Sequence, residues 1–114
     1  MPKNKQIGDY GEQLALSYLN EKGYEVIKTN FKCRSGEIDI IARDKGYIVF
    51  IEVKLRTNLE KGYPREAVGR MKQKRIRKTA LYWIMLNQAE PDVRFDVIEI
   101  LMGPVTIEHI ENAF

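Results

Sequence analysis

The chain reads as an α/β domain in which a central mixed β-sheet is flanked by helices. Three observations predict this class. Two long stretches carry apolar residues at helical spacing, and four short runs rich in Val, Ile and Phe are bounded by turn residues, with a fifth near the end. The two kinds of segment follow one another in the order αβββαβ(β), which suits a sheet with helices packed on it. With 114 residues there is room for one domain and one core, spanning 1–114.

Each element has its own warrant. Residues 5–22 predict a helix, because Ile7, Tyr10, Leu14 and Tyr18 recur at helical spacing and Gly23 is a natural stop. Residues 24–31 (YEVIKTNF) predict a strand, followed by a polar loop over 32–35. Residues 36–43 and 47–55 form the second and third strands. Between them Asp44-Lys45-Gly46 carries turn chemistry, with Gly46 able to take the positive φ that a tight hairpin requires. A loop over 56–65 is punctuated by Gly62 and Pro64, and a long helix runs from about 66 to 87, stopped before Pro91. Residues 93–101 (VRFDVIEIL) predict a fourth strand. A fifth, over 105–110, follows Gly103-Pro104.

Composition removes several function classes. An apolar content of 44% with 31% charged residues is ordinary for a soluble globular protein and argues against disorder. No apolar run approaches the ~20 residues that span a bilayer, so no membrane partner is expected. The opening MPKNKQIGDYGEQ has no apolar core of the kind a secretory signal needs. Cys33, the single cysteine, can form no internal disulfide, and a reducing, cytoplasmic setting fits. No P-loop motif occurs, the serines lack a base and orienter for nucleophilic catalysis, and His109, the only histidine, has no partners for a zinc set. The net charge of +3 is mild, but residues 70–78 read RMKQKRIRK, six basic residues and no acid. Such a block attracts a polyanion, although a charged run is also how a solvated helix face looks.

The chemistry concentrates in the second and third strands. If Lys45 and Gly46 alone form the turn, Asp44 faces Tyr47, Asp39 lies opposite Glu52, and Glu37 faces Lys54; a three-residue turn would shift this by one. Two opposed carboxylates repel, and a hard divalent ion such as Mg²⁺ or Mn²⁺ would neutralise them. Lys54 shares the face of Glu52 by the period of two, where an ammonium can position water or stabilise a phosphate oxygen. The flanking residues, Ile38, Ile40, Ile41 and Ile48 through Ile51, are strongly apolar, so polar side chains among them are hard to explain by solvation alone. The competing explanation is a one-sided sheet whose wet face carries Glu37, Asp39, Lys54 and Arg56 as ion pairs.

Both helices add to this. Glu12 falls on the side of Gly8, Ala15, Leu16 and Leu19, where a carboxylate needs a metal or a buried basic partner. On the long helix Val68, Ile76, Ala80, Trp83 and Ile84 form the core-facing stripe, and Lys72 and Gln73 fall inside it. These two either point toward the active centre or serve locally, Lys72 snorkelling past the core and Gln73 capping a strand. Arg70, Lys74, Arg75, Arg77 and Lys78 occupy the outer faces, suited to phosphate contacts. Asp96, inside an apolar strand, is expected to pair with a nearby base. Tyr63 and Phe31 sit near polar loops, where stacking on bases competes with core packing.

The segment SGEIDIIARDKGYIVFIEVKLR resembles the GEIDLIA…FVEVKxR core of the YraN family of small bacterial proteins, and the likeness extends to REAVGRMKQKRIRKTALYW, VRFDVIEI and the terminal HIENAF. That family in turn resembles the PD-(D/E)xK nucleases, especially archaeal Holliday-junction resolvases, which share a helix glutamate, a strand aspartate and a following E-V-K. The resemblance implies a restriction-endonuclease-like fold in which Asp39, Glu52 and the Val53 carbonyl bind Mg²⁺. It also implies that Lys54 is the catalytic lysine and that Glu12 completes the metal site. One departure is Ile38, which stands before Asp39 where the motif's name places proline.

The resulting expectation is a Mg²⁺- or Mn²⁺-dependent endonuclease that hydrolyses DNA phosphodiesters, on branched or single-stranded DNA in repair or recombination. Arg56 and the 70–78 helix would grip the backbone. Two symmetric copies would suit a four-way junction, which makes a homodimer the matching expectation. The rival is a non-catalytic DNA-binding or repair-scaffold protein that keeps the fold, and nothing in the residues separates DNA from RNA.

Overall fold

The computed structural model describes residues 2–57, 68–88 and 92–114, with side chains over 9–56, 68–88 and 92–114. The elements are α1 (Pro2–Glu21), β1 (Glu25–Cys33), β2 (Gly36–Asp44), β3 (Tyr47–Thr57), α2 (Arg70–Leu86), β4 (Asp92–Met102) and β5 (Thr106–Ile110). This is the α/β class the sequence predicts, a five-stranded mixed sheet in the order β1-β2-β3-β4-β5, compatible with a restriction-endonuclease-like fold. Only β3 and β4 are parallel, and α2 lies in the connection between them.

Gly23 ends α1 as expected, with φ +89°. The Gly23 N–H donates to the Asn20 carbonyl and the Tyr24 N–H to that of Leu19, closing the two helix-terminal bonds of a Schellman motif, with Leu19 and Tyr24 in one apolar cluster. The buried line of α1 is Gly11, Ala15 and Leu19, while Tyr10, expected on the apolar stripe, is 47% exposed. Gly11 permits this approach: a Cβ there would stand 3.3 Å from Leu55 Cδ1. The β2–β3 hairpin turns on Lys45 and Gly46, at φ +50° and +88°, and Asp44 pairs with Tyr47 as the two-residue turn requires.

The second helix starts later than expected. Glu66 and Ala67 lie outside the described residues, as do Tyr63, the glycine and proline of the preceding loop, and Pro91. Val68 and Gly69 precede the helix, Gly69 standing extended at its N-terminal boundary (φ −79°, ψ 172°). Glycine has little helical preference, and the Gln73 side chain fixes the boundary by donating to the Val68 carbonyl at 3.1 Å. Val68 is buried, but from outside the helix.

Each face of the sheet carries a core. Under α2 lie Ile38, Ile41, Ile48, Phe50, Phe95 and Val97 with Ile76, Ala80 and Trp83; Phe50 meets Trp83 edge-on at 5.9 Å and stacks on Phe95 at 5.6 Å. Under α1 lie Ile40, Ala42, Val49, Ile51, Ile98 and Ile100 with Ala15 and Leu19. With both faces covered, the one-sided wet sheet is set aside, and the runs of consecutive apolar residues in β2, β3 and β4 are explained.

Candidate functional site

Strict alternation would put Ile38 and Ile40 on one face, yet Ile38 belongs to the α2 core and Ile40 to the α1 core. The pleat therefore reverses at Asp39. Directly across on β1, between Thr29 (paired with Ile40) and Phe31 (paired with Ile38), Asn30 takes φ +53°. Both strands twist at one level. Asparagine accepts this left-handed conformation better than most residues.

The same level is where β2 and β3 part. Their ladder runs from Asp44↔Tyr47 to Ile40↔Ile51 and goes no further, although β2 continues back to Gly36 and β3 on to Thr57. This corrects one expectation: Asp39 and Glu52 are not a ladder pair, and Glu37 does not face Lys54. They flank the mouth of a fork. The Val53 N–H, left without a strand partner on that side, donates to Asp39 Oδ2 at 2.8 Å.

Asp39 borders a cavity on each side of the fork. One, of about 320 Å³, is lined by Asp9, Gly11, Glu12, Asn30, Val53 and Leu55 as well as Asp39. Here the Asn30 amide donates to Glu12 Oε1 at 3.2 Å, so the α1 carboxylate, half-buried, is met by an amide and not by the buried basic partner considered above. The other, of about 170 Å³, brings Asp39 together with Glu37, Glu52, Lys72 and Arg75. Burial and then the neighbouring Glu52 charge push the Asp39 carboxyl up to about 7, against the pull of the Val53 N–H.

Glu52 is 6% exposed and forms an ion pair with Lys72 from the first turn of α2. Of the two residues inside the apolar stripe of that helix, Lys72 therefore reaches the carboxylates and Gln73 does not. Lys54 lies on the α2 side with Glu52 and is paired in register with Glu99, which sequence reasoning missed. Glu99 is buried, and burial raises its carboxyl despite Arg56, whose Nε stands 3.1 Å from its Oε1. Arg56 is thus held inside the molecule's own ion pair. A lone carboxylate in the apolar run VIEI was the available signal for Glu99; Asn30 gave none within a plain strand pattern. The Val53 side chain packs at the edge of the α1 core, and its N–H, not its carbonyl, is the group engaged with Asp39.

Along α2, Arg70, Lys74, Arg75, Arg77 and Lys78 are exposed. Arg77 is not free of the protein, because its guanidinium lies 4.9 Å from the Phe95 ring centre and 5.5 Å from that of Phe114. Phe31 is placed near Tyr82, at 6.4 Å.

The remaining polar residues form a separate network on the α1 side. Asp96, with no exposed surface, receives Arg94 Nε at 3.0 Å and Nη2 at 2.9 Å, and His109 Nε2 lies 2.7 Å away. A carboxylate only accepts, so His109 donates from Nε2, and its Nδ1 shares a hydrogen bond with the Tyr18 hydroxyl at 3.0 Å. Burial pulls the Asp96 carboxyl upward, but the hydrogen bonds from His109, Arg94 and the Asn112 N–H outweigh it and hold it below the usual range.

Among the described residues, no three Asp, Glu, His or Cys side chains gather closely enough to enclose a metal ion. A closed structural site is therefore not what the fork offers. Two carboxylates at its mouth, Asp39 with its proton affinity raised by burial and then by Glu52, fit a hard cation that keeps several of its waters.

A family model described as "Uncharacterised protein family UPF0102" matches residues 11–100. A UPF0102 protein of Lachnoclostridium phytofermentans is 46% identical over 97% of this chain and 95% of its own length. One of Thermodesulfovibrio yellowstonii is 49% identical over 96% of each chain, and one of Clostridioides difficile is 45% identical over 97% of this chain and 98% of its own. Among the described residues no helix is long and apolar enough to cross a membrane.

Proposed function

The chain belongs to the UPF0102 (YraN) family, and from that premise and the geometry of the fork we propose that it is a metal-dependent endonuclease acting on DNA. The observation that carries this reading is the pair Asp39 and Glu52, two carboxylates brought to the one place where the central strands separate and leave room for a ligand.

Asp39 and Glu52 would hold Mg²⁺ or Mn²⁺ with the Val53 carbonyl, while Glu12, which shares with Asp39 the cavity on the other side of the fork, would steady that ion or bind a second one. When bound, such an ion neutralises charge on a phosphate and acidifies water. Lys54, beside Glu52 on the α2 side, orients the attacking water and offers its ammonium to the phosphate oxygen that gains charge. Arg70, Lys74, Arg75 and Lys78 contact the sugar-phosphate backbone from α2, with Lys72 nearest the carboxylates; Gln73 fixes the start of that helix and Arg56 keeps Glu99 neutralised. Cytoplasmic DNA in repair or recombination suits this reading, with Cys33 remaining a free thiol and two copies engaging a branched substrate.

One observation favours a second reading. The Lys72–Glu52 ion pair satisfies Glu52 without any metal, as a DNA-binding scaffold that keeps the fold would require. The experiment is to incubate the protein with linear, single-stranded and four-way-junction DNA, with Mn²⁺ or with EDTA, beside Glu52→Gln. Metal-dependent cutting that the variant loses supports the nuclease; binding without cutting, equal in both proteins, supports the scaffold.

A further inference from the structure

We propose that Lys72 is the resident counterion of the carboxylate fork, which competes with the divalent cation for Glu52 and moves onto a DNA phosphate when the cation takes its place. This rests on the nuclease reading and adds a coupling to it: metal and substrate would assist each other through one side chain.

The placement of Lys72 is the first ground. Its ammonium pairs with Glu52 inside the same cavity that Asp39 lines, so it brings a positive charge to the small cluster of the Asp39 and Glu52 carboxylates, with Arg75 lining the cavity as well. A divalent ion compensates that cluster better than an ammonium does, and the two cannot both hold the same Glu52 oxygen. Mobility is the second. The Lys72 side chain is 42% exposed against 7% for Glu52, so the carboxylate is fixed while the ammonium, on a long flexible stem, has solvent to swing into.

The third ground is what surrounds it. The first turn of α2 contains no acidic residue, and Arg70 and Lys72 stand there. A helix N-terminus already presents positive charge from its free N–H groups, so cations in its first turn are unfavourable unless an anion is close. Glu52 is that anion for Lys72, and a phosphate is the anion that would suit the whole turn once Glu52 is occupied by metal. Arg75, one helical turn on, lines the same cavity and extends the path toward the outer basic face.

The test is calorimetric titration of metal-stripped full-length protein with Mn²⁺, for wild type, Lys72→Met, Lys72→Arg and Glu52→Gln. Removing a competing ammonium from a partly buried pair should tighten Mn²⁺ binding by about fivefold in Lys72→Met, and Lys72→Arg, which keeps the charge, should return close to wild type. A second arm measures affinity for a short duplex against salt, with non-cleaving Ca²⁺ or with EDTA. Lys72→Met should lower the salt slope by about 0.9 in Ca²⁺, one phosphate contact, and leave it unchanged in EDTA. Mn²⁺ binding that Glu52→Gln abolishes but Lys72→Met leaves equal or weaker would overturn the counterion role alone. No Mn²⁺ binding by any of the four proteins would overturn the metal-site reading and this inference with it.

Discussion

Replacing Asp96 by Asn keeps the side chain's size and removes its charge from a place with no exposed surface. The residue is bound by Arg94 through Nε and Nη2, by His109 at 2.7 Å and by the Asn112 N–H at 3.1 Å. Breaking a buried ion pair by removing one partner costs about 3–5 kcal/mol, because the other charge stays buried. Here Arg94 keeps Asp44, whose Oδ2 lies 3.1 Å from its Nη1, so the low end, about 3 kcal/mol, is expected. With a urea slope of about 1.5 kcal/mol/M, that displaces the midpoint by about 2 M, a large share of the ~5–15 kcal/mol that holds a domain together. The pH dependence has a definite sign. Asp96 has its proton affinity lowered by folding, so its contribution is fully present above its unfolded pKa of 3.8 and is lost as pH falls through the depressed folded value. The gap between wild type and Asp96→Asn should therefore be constant above about pH 5 and shrink in acid below about pH 4. Urea denaturation followed by far-UV circular dichroism at pH 7 and pH 3.5 measures both. A midpoint shift under 0.5 M at pH 7, or a gap that widens in acid, would refute the account of this network.

Three further outcomes follow from other parts of the molecule. Lys45 holds φ +50° at the first position of the β2–β3 turn, where Asn is better suited, so Lys45→Asn should stabilise the fold by about 0.5–1 kcal/mol and raise the melting temperature by a few degrees. Arg75→Ala with Lys78→Ala should lower the salt slope of DNA binding by about 2, as expected for two phosphate contacts. Adding Arg77→Ala should also reduce stability, through the Phe95 and Phe114 rings it covers; unchanged binding in a filter assay would rule out α2 as the phosphate-facing helix. Asp39→Asn should abolish cleavage while leaving DNA binding equal or tighter, since a charge that repels phosphate is gone; retained cleavage in a plasmid-nicking assay would remove Asp39 from the chemistry.

What the residues disclosed in advance depended on whether local rules governed them. The αβββαβ order, the Gly23 stop and the Lys45-Gly46 turn follow from periodicity and backbone preference, and the structure has them. The same turn gave the ladder down to Ile40↔Ile51, but extrapolating one step further failed, because the sum rule assumes an unbroken pleat. The reversal at Asp39 needs Asn30 from another strand, a tertiary event that no count along β2 contains. Glu12, Asp39 and Glu52 stood out as carboxylates among apolar neighbours, and they line the cavities of the fork. Lys72 and Gln73 were indistinguishable by helical angle. Which of them reaches Glu52 was settled by where α2 begins, and Gly69 sets that point in a way a smooth periodicity conceals. The base expected near Asp96 is Arg94 on the same strand, whereas Asp44, Tyr24 and Tyr18 reach the network from distant parts of the chain and were not legible.

The fork carries a cost for solubility. Where β2 and β3 separate, the sheet acquires two inner edges, residues 36–39 and 52–57, in addition to the outer edges of β1 and β5. Such edges are templates for a foreign strand, and a peptide or a second molecule wedged there would extend the sheet toward aggregation. Those edges hold Glu37, Asp39, Glu52, Lys54 and Arg56, with the Asp39 side chain already engaging the Val53 N–H that an invading strand would need. Charged side chains along an edge are how natural sheets discourage such pairing. The polar residues that stand out in these apolar strands therefore protect the notch in the sheet as well as furnish it.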